Sequence, residues 1–238
     1  MTEFKYAGSE LDLFRAVHNW KSYWSRQIQP FITGDVLEVG AGMGANTPFL
    51  DTGPTGRWVC LEPDAQLIAQ LDESLAHLGT AHRYERLLGT IQSLDPGETF
   101  NTVIYIDVLE HIEKDREELK HAASRLRPGG RIIVLAPAHQ WLFTPFDAAI
   151  GHFRRYNRPM LRSLSPPGLE MEKLFYLDSA GLLLSTANRV LLHQSMPTEA
   201  QLRFWDKWII PISRVLDTCL LYAVGKSIIG IWHREKAR

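Results

Sequence analysis

The sequence is poor in cysteine, with only Cys60 and Cys219 among its 238 residues. Two cysteines this far apart, both in apolar surroundings, support neither a disulfide framework nor a cysteine-based metal centre. We therefore expect two buried thiols in a reducing compartment, which for this protein would be the cytoplasm.

The sequence also has little net charge and no long apolar runs. Its 26 basic and 27 acidic residues leave a formal charge of −1, and no separate recognition domain is visible, which argues against nucleic acid or protein as the substrate. No apolar run approaches the roughly 18 residues of a membrane span. The polar start, Met1 to Glu10, predicts no secretory signal. No metal-ligand spacing is apparent, so we expect no metal.

What the chain does contain is 45% hydrophobic residues, enough for one sizeable α/β core. Short apolar runs alternate with amphipathic stretches, a pattern typical of parallel strands joined by crossover helices. The predicted strands of this region are Asp35–Val39, Arg57–Leu61, His82–Leu87, Thr102–Ile106 and Arg131–Ala136. The predicted helices are Ala45–Leu50, a helix capped by Asp64 and running to about Leu78, and Lys114–Leu126, which Pro128-Gly129-Gly130 would end.

The two ends of the chain read differently. An amphipathic helix is predicted over Ser9–Ile28, and residues 138–168 look irregular. Leu169–Asp178 and Lys226–His233 are predicted strands, and 180–224 is helical, broken at Pro197 and Pro211. We divide the single domain 1–238 into four parts: an N-terminal helical lid (1–30), a ligand-binding core (31–178), a helical cap (179–225) and the last strand (226–238).

A glycine-rich segment, Glu38-Val39-Gly40-Ala41-Gly42-Met43-Gly44, ends the first predicted strand. Glycines at such a turn let the backbone approach a nucleotide-like ligand closely. The spacing also fits a relaxed dinucleotide fingerprint, G-x-G-x-x-A, and a tight turn without a ligand remains an alternative.

Acidic residues surround this segment. Glu62 closes the second strand about 20 residues later, where a carboxylate can accept both ribose hydroxyls, although it could simply flank the next helix. Glu38, two residues before Gly40, suits a cofactor bearing ammonium and sulfonium charges better than a pyrophosphate. Asp107-Val108-Leu109-Glu110-His111-Ile112 closes the fourth strand, and the loops at this edge of a parallel sheet line the ligand crevice.

With these motifs the sequence resembles the class I S-adenosylmethionine-dependent methyltransferases. The resemblance rests on residues 36–44, Leu61-Glu62-Pro63-Asp64, 106–112 and Leu126-Arg127-Pro128-Gly129-Gly130, in the family's order and spacing. It implies a Rossmann-like three-layer sandwich whose mostly parallel, seven-stranded sheet has an antiparallel last strand, preceded here by a helical cap. It also implies that S-adenosylmethionine is the cofactor.

The resemblance assigns roles to individual residues. Gly40, Gly42 and Gly44 would face the methionine part of the cofactor, Glu62 the ribose, and Asp107 the methionine amino group. Neighbouring positions complete the cofactor set: Asn46, Thr47, Pro63 and Val108. In the loop that meets adenine, Thr90 or Gln92 stands where an acidic residue is common, so Ile91 would pack on the ring while backbone groups or a polar side chain bind its edge.

Candidate groups for the chemistry lie on the catalytic side of the sheet. Methyl transfer to oxygen usually needs a base, and His152, His139 and His111 are our candidates, each of which could instead merely hydrogen-bond a loop. Arg154 and Arg155, with Tyr156 and Trp141, are candidates for binding the substrate. Guanidinium groups recognise carboxylate or phosphate, but the arginines, with Arg158, more simply pair with acids such as Asp147.

Aromatic residues near the termini offer a cover for the cavity. Trp20, Tyr23 and Trp24 would form a lid over the cofactor or, as their spacing favours, a packed helix face; Trp20 and Asn19 are candidate cofactor contacts. The apolar segment 201–223 would by default pack as a cap. It would also suit contact with an apolar substrate, a second subunit or the membrane surface, and the oligomeric state stays open.

These expectations converge on a methyltransferase acting on a small molecule, most simply on its oxygen. Residues 137–156 are similar to a bacterial subgroup often encoded near glycosyltransferase, lipid or natural-product genes, so the acceptor would be a natural product or a lipid- or sugar-linked molecule. Two alternatives stay open: a regulatory protein that binds the cofactor without turnover, and a nicotinamide-dependent oxidoreductase.

Overall fold

The computed structural model describes residues 14–51, 53, 56–77, 83–189 and 198–236. Its seven strands form one sheet in the order β3-β2-β1-β4-β5-β7-β6. The strands β1 to β5 are parallel, and β7 runs antiparallel to both of its neighbours. Their bounds are β1 Val36–Val39, β2 Trp58–Glu62, β3 Tyr84–Leu88, β4 Phe100–Ile106, β5 Leu126–Pro137, β6 Leu169–Leu177 and β7 Ser227–Arg234.

The helices cover the two faces of this sheet. They are α1 Asn19–Ile28, α2 Thr47–Leu50, α3 Ala65–His77, α4 Asp115–Ser124, α5 Pro145–Ala149, α6 Arg158–Ser163, α7 Ser179–Ala187, α8 Glu199–Phe204 and α9 Ile210–Cys219. A π-helical stretch, Trp205–Ile209, joins α8 to α9, and 3-10 turns occupy Gln29–Phe31, Ile91–Ser93, Leu109–His111 and Gln140–Leu142. Among the described residues, no helix is both long and apolar enough to cross a membrane.

Both faces of the sheet are buried, which explains the continuous apolar runs of the central strands. Alternate residues serve opposite sides: Leu37 belongs to the core under α4, whereas Val36 belongs to the core under α1 and the cap. The cap segment contributes Leu202, Trp205 and Ile210 to this second core. The predicted Rossmann-like fold, with its antiparallel last strand, is thereby confirmed.

Several predicted boundaries are wrong. Helix α4 ends at Ser124 rather than at Leu126, because Leu126 already pairs with Phe100 at the start of a β5 much longer than predicted. Residues 138–168, predicted to be irregular, contain α5 and α6. Pro211 does not interrupt the helical run; it stands in the first turn of α9, directly after the π-helical stretch Trp205–Ile209.

The termini and the cysteines also differ from expectation. Helix α1 begins only at Asn19, and the first part of the predicted helix Ser9–Ile28 lies outside the described residues, as do Leu78, His82 and Pro197. Asp64 does cap α3, since its carboxylate accepts from the N–H groups of Gln66 and Leu67. Cys60 is buried, as predicted, but Cys219 is exposed at the end of the amphipathic helix α9.

Candidate functional site

A cavity of about 1350 Å³ opens at the carboxyl ends of β1, β2 and β4. Its floor is the sheet edge, and its roof comes from α1, α7 and α8 together with the π-helical stretch. Fourteen predicted site residues line it: Trp20, Gly40, Gly42, Asn46, Glu62, Pro63, Thr90, Ile91, Gln92, Asp107, Val108, His111, His152 and Arg155. The fold therefore brings most of the separate sequence motifs to one place.

The glycine turn forms one end of this cavity. Gly40 has a φ of 68°, and a Cβ atom there would meet Cγ2 of Val108 at 2.5 Å, so no larger residue fits. Gly42 also has positive φ, but no atom of the described residues lies within 4 Å of a Cβ placed there, because that side faces the open cavity. Gly44 instead packs against Leu71 of α3 and does not line the cavity. Two of the three glycines thus provide the close backbone approach that a ligand needs.

Glu62 lies beside this turn. Its carboxylate accepts from the backbone N–H of Gly42 at 2.9 Å and from that of Asp64 at 3.1 Å. Burial raises the pKa of this carboxyl group, and the two hydrogen bonds offset only part of that increase. The carboxylate therefore lies on the cavity wall, held in place by the two N–H groups that flank it.

Glu38 lies below the cavity rather than in its wall. Its carboxyl group accepts from Nε1 of Trp58 at 3.1 Å and is 3.8 Å from Sγ of Cys60. Burial raises its pKa to about 7. Thr47, fully buried on the adjacent helix, does not line the cavity either. Both residues support the turn from beneath, which differs from the direct cofactor contact predicted for them.

The loop after β3 forms the adjoining wall, with Thr90 and Gln92 exposed to the cavity and Ile91 packed behind them. Nε2 of Gln92 donates to Oε2 of Glu118 at 2.9 Å. Glu118 reaches the same wall from α4 and also accepts from the hydroxyl of Tyr105 at 3.0 Å. Sequence reasoning missed this carboxylate, because a glutamate in the charged helix α4 gives the signal of a solvent-facing residue.

Asp107 marks the middle of the cavity, directly after β4. Its backbone is left-handed, with φ 53°, and its side chain is exposed to the cavity interior rather than to the outer surface. Burial raises the pKa of this carboxyl to about 6, while the charges of His152, Arg155 and Lys226 act in the opposite direction.

The far end of the cavity holds Glu110, His111 and His152. Their ligand-type atoms all lie within 4.8 Å of one another, a grouping that could hold a metal ion and that no spacing in the sequence made apparent. Glu110 and His111 are adjacent on the 3-10 turn after β4, whereas His152 arrives from the loop after α5. The sequence interval of 40 residues hides this cluster, since only the fold brings its two halves together.

Asp147 orients His152 from behind. Its carboxylate accepts from Nδ1 of His152 at 3.1 Å, from Nε of Arg155 at 2.8 Å and from the N–H of Thr144 at 2.8 Å. Although burial raises the pKa of Asp147, these partners outweigh it and lower the pKa to about 2. The pairing of Arg155 with Asp147 is the internal ion pair that the sequence favoured over substrate recognition.

The remaining predicted residues do not line the cavity. Nε2 of His139 donates to the carbonyl of Gly225 at 3.0 Å, and the ring stacks on Tyr176. Arg154 pairs with Asp115, and fully buried Tyr156 bonds the same carboxylate. Trp141 is 48% exposed on the outside. These four side chains lie outside the cavity wall, in the segments that surround it.

The roof combines the lid and packing roles that the sequence left open for the N-terminal aromatics. Trp20 lines the cavity yet is buried against Trp205, with ring centroids 5.7 Å apart. Tyr23 donates its hydroxyl hydrogen to Asp217, and the backbone of Asn19 donates to Asp206 and accepts from Arg214.

Lys226, at the foot of β7, is a cavity residue that sequence reasoning missed. Its Nζ lies 5.3 Å from the ring of Trp205, and burial lowers its pKa, partly offset by the charge of Asp178. The sequence signal that could have pointed to it is a single lysine directly before an apolar strand.

Known proteins resemble this chain chiefly over its glycine-turn half. Residues 37–132 match a family described as a methyltransferase domain. The tRNA U34 carboxymethyltransferase of Shewanella baltica is 28% identical over 120 residues, which cover 48% of this chain and 36% of that protein. The ubiquinone biosynthesis O-methyltransferase of Bradyrhizobium sp. is 30% identical over 109 residues, which cover 44% and 41%. The chain thus spans less than half the length of these curated relatives.

The fold likeness extends further. The solved structure of coclaurine N-methyltransferase, bound to N-methylheliamine and SAH, superposes with a TM-score of 0.62. The superposition covers 98% of this chain and 76% of the coclaurine N-methyltransferase chain. At 14% sequence identity, this match shows that the two proteins share a fold. The sequence matches thus place a methyltransferase domain over residues 37–132, and the structural match confirms the fold.

Proposed function

Since residues 37–132 match a methyltransferase domain and the fold resembles a solved methyltransferase, we propose that this chain binds S-adenosylmethionine and transfers its methyl group to an oxygen of a small molecule. The observation that carries the proposal is the cavity itself. One end has the glycine turn and Glu62, and the other has the cluster of Glu110, His111 and His152. At about 1350 Å³ it exceeds the usual size of about 300–1000 Å³ for one ligand, which leaves room for cofactor and acceptor together.

The cofactor would lie against the sheet edge. Gly40 and Gly42 admit the methionine part, and Glu62, held by the N–H groups of Gly42 and Asp64, accepts the ribose hydroxyls. Asp107, exposed to the cavity, receives the methionine amino group.

Adenine would meet the loop after β3. Ile91 supports the ring, and the polar edge contacts come from Thr90 and from Gln92 with its partner Glu118. Glu118 then supplies the carboxylate that the loop itself lacks.

The acceptor would lie between Asp107 and the far end of the cavity. Methyl transfer is an in-line displacement, so the chain must orient the acceptor oxygen toward the methyl carbon and exclude water. Trp20 and Trp205 close the roof, while Leu184, Leu202 and Phe204 give it an apolar lining. The Glu110, His111 and His152 cluster would activate the acceptor oxygen, because a hydroxyl reacts well only once its proton is lost.

The acceptor class follows from these walls: a molecule with an apolar portion under the cap and a hydroxyl group at the cluster. The ubiquinone biosynthesis relative, by its name an O-methyltransferase, favours this choice over nitrogen. Another relative's name includes tRNA, so the absence of a nucleic-acid partner stays a prediction. The predicted membrane contact of segment 201–223 likewise stays a prediction; Trp208 and Val215 are exposed there.

Isothermal titration calorimetry tests the proposal against both alternatives. We expect one S-adenosylhomocysteine per chain, with a Kd in the micromolar range, and no binding of NADH. Glu62→Gln should weaken the S-adenosylhomocysteine affinity by about 10–100-fold, because the neutral amide is a poorer acceptor for two hydroxyl groups. Glu73→Gln, on the exposed side of α3, is the matched control. No S-adenosylhomocysteine binding at 100 times a micromolar Kd would refute the proposal.

Turnover separates an enzyme from a regulatory binder. We would incubate the purified protein with S-adenosylmethionine tritiated on its methyl group and an extract of small hydroxylated metabolites. After extraction with an organic solvent, we expect the label in the methylated product in the organic phase. Retained cofactor binding with no transfer to any fraction would favour the regulatory alternative.

A further inference from the structure

We propose that Glu110, His111 and His152 form a binding site for one divalent transition-metal ion at the acceptor end of the cavity. Each residue offers one ligand atom, and these atoms lie within 4.8 Å of one another. Ligands at about 2.1 Å from a shared ion stand roughly 3–3.5 Å apart, so modest side-chain rotation brings the three onto one ion.

Glu110 supplies the first independent argument. Its side chain has no exposed surface, and no other residue in the described part of the chain hydrogen-bonds either carboxylate oxygen. Leaving a buried carboxylate without partners is costly, and the nearby Asp107 adds repulsion rather than relief. A cation bound between Glu110 and the two imidazoles would satisfy this group.

The second argument is the orientation of His152. Asp147 accepts from Nδ1 at 3.1 Å, which leaves Nε2 directed toward Oε1 of Glu110 at 3.9 Å. A carboxylate that holds one ring nitrogen while the other binds metal is the usual support of a histidine ligand. Arg155 and Thr144 fix Asp147 in turn, so its orientation of His152 does not depend on a flexible surface group.

The two chain segments that supply the ligands are braced against each other. The N–H of Phe153, beside His152, donates to the carbonyl of Glu110 at 2.8 Å. The rings of His111 and His152 stand edge-on with centroids 4.5 Å apart. The fold therefore holds the ligand atoms near one another before any ion binds.

The ligand set indicates the type of ion. Imidazole suits zinc, iron and similar ions better than magnesium or calcium, and two histidines with one carboxylate leave coordination positions open. Since all three residues line the cavity, those positions face its interior.

This step rests on the proposed function. We infer that the acceptor is a molecule whose hydroxyl has a second oxygen beside it, so that both oxygens can occupy the open coordination positions of the ion. The ion would lower the pKa of the bound hydroxyl, whose proton leaves to water. The oxygen then bonds to the methyl carbon while the bond between that carbon and sulfur breaks. The electron pair of the broken bond stays on sulfur, which gives S-adenosylhomocysteine.

Zinc titration tests the site directly. We would use chelator-treated Cys219→Ser protein, because the exposed Cys219 thiol could itself take up zinc. We expect one Zn²⁺ per chain by calorimetry, with at least a 100-fold loss of affinity in Glu110→Gln and in His152→Gln. Asp147→Asn, which keeps the ligands but weakens the support of His152, should lose about 10–100-fold. His121→Ala, on exposed α4 surface, should change nothing.

Far-UV circular dichroism and S-adenosylhomocysteine affinity are measured on every variant. A folded Glu110→Gln or His152→Gln protein that binds zinc like its parent, or a parent with no site at 1 mM Zn²⁺, would overturn the metal site. S-adenosylhomocysteine binding retained in that case would leave the proposed function standing, because cofactor binding is measured without metal.

Discussion

The floor and the roof of the cavity are built on different principles. The floor is made of strand ends, where the turn at Gly40 and the carboxylate of Glu62 are fixed by their neighbours in the sheet. The roof joins α1 to the cap through three buried aspartates, Asp178, Asp206 and Asp217. The floor thus depends on local backbone geometry, whereas the roof depends on hydrogen bonds between distant segments.

Each roof aspartate accepts several hydrogen bonds. Asp206 accepts from the backbone N–H groups of His18, Asn19 and Trp20 and so caps α1 from 186–188 residues away. Asp178 accepts from Nε1 of Trp205 and Oγ of Ser213. The arrangement explains how a cap can enclose a cavity without being continuous with the sheet.

The largest effect is expected at Asp217, which accepts from the hydroxyl of Tyr23 and the N–H groups of Asp178 and Ser179. Asp217→Ala leaves three buried donors unpaired and should lower the free energy of unfolding by about 4 kcal/mol. Urea denaturation measures this, with exposed Asp95→Ala as the control within about 0.5 kcal/mol. A loss below 1 kcal/mol would mean that the roof is not held by this aspartate.

The floor has its own buried carboxyl group in Glu38, whose pKa is raised from 4.5 to about 7. The folded state therefore holds a proton that the unfolded state releases, and stability falls as pH rises between these two values. From pH 4 to pH 8 the free energy of unfolding of the wild type should fall by roughly 3 kcal/mol relative to that of Glu38→Gln, whose side chain cannot ionise. Parallel stability curves for the two proteins across this pH range would disprove the shift.

The contrast also shows what a sequence can reveal. The strands of the parallel half, the glycine turn and the position of Glu62 were predictable because each depends on residues close in sequence, with a spacing that the backbone dictates. Glu118, Lys226 and the aspartates of the roof were not, because each looks like an ordinary surface charge until tertiary contacts bury it. The same holds for the ligand cluster, in which the fold brings His152 back to Glu110 and His111, although 40 residues lie between His111 and His152.

An intermediate effect is expected at Asp206, the remote cap of α1. Asp206→Ala leaves the N–H groups of His18, Asn19 and Trp20 to water and should cost about 1–2 kcal/mol, as losing a helix cap does. Because Trp20 lines the cavity, S-adenosylhomocysteine affinity should fall as well. Thermal unfolding and calorimetry give both values, and an unchanged affinity would show that α1 only packs and does not cover the cofactor.

The smallest effect is expected at His139, a candidate base by sequence that the fold places outside the cavity. Its backbone has φ 67°, so asparagine, which tolerates positive φ, is the replacement of choice. His139→Asn loses the hydrogen bond to Gly225 and the stacking on Tyr176, for about 1 kcal/mol of stability. S-adenosylhomocysteine affinity should stay within twofold, because the ring contacts neither floor nor roof. A tenfold loss would mean that the β5 end reaches the cofactor, and that the floor extends further than its strand ends suggest.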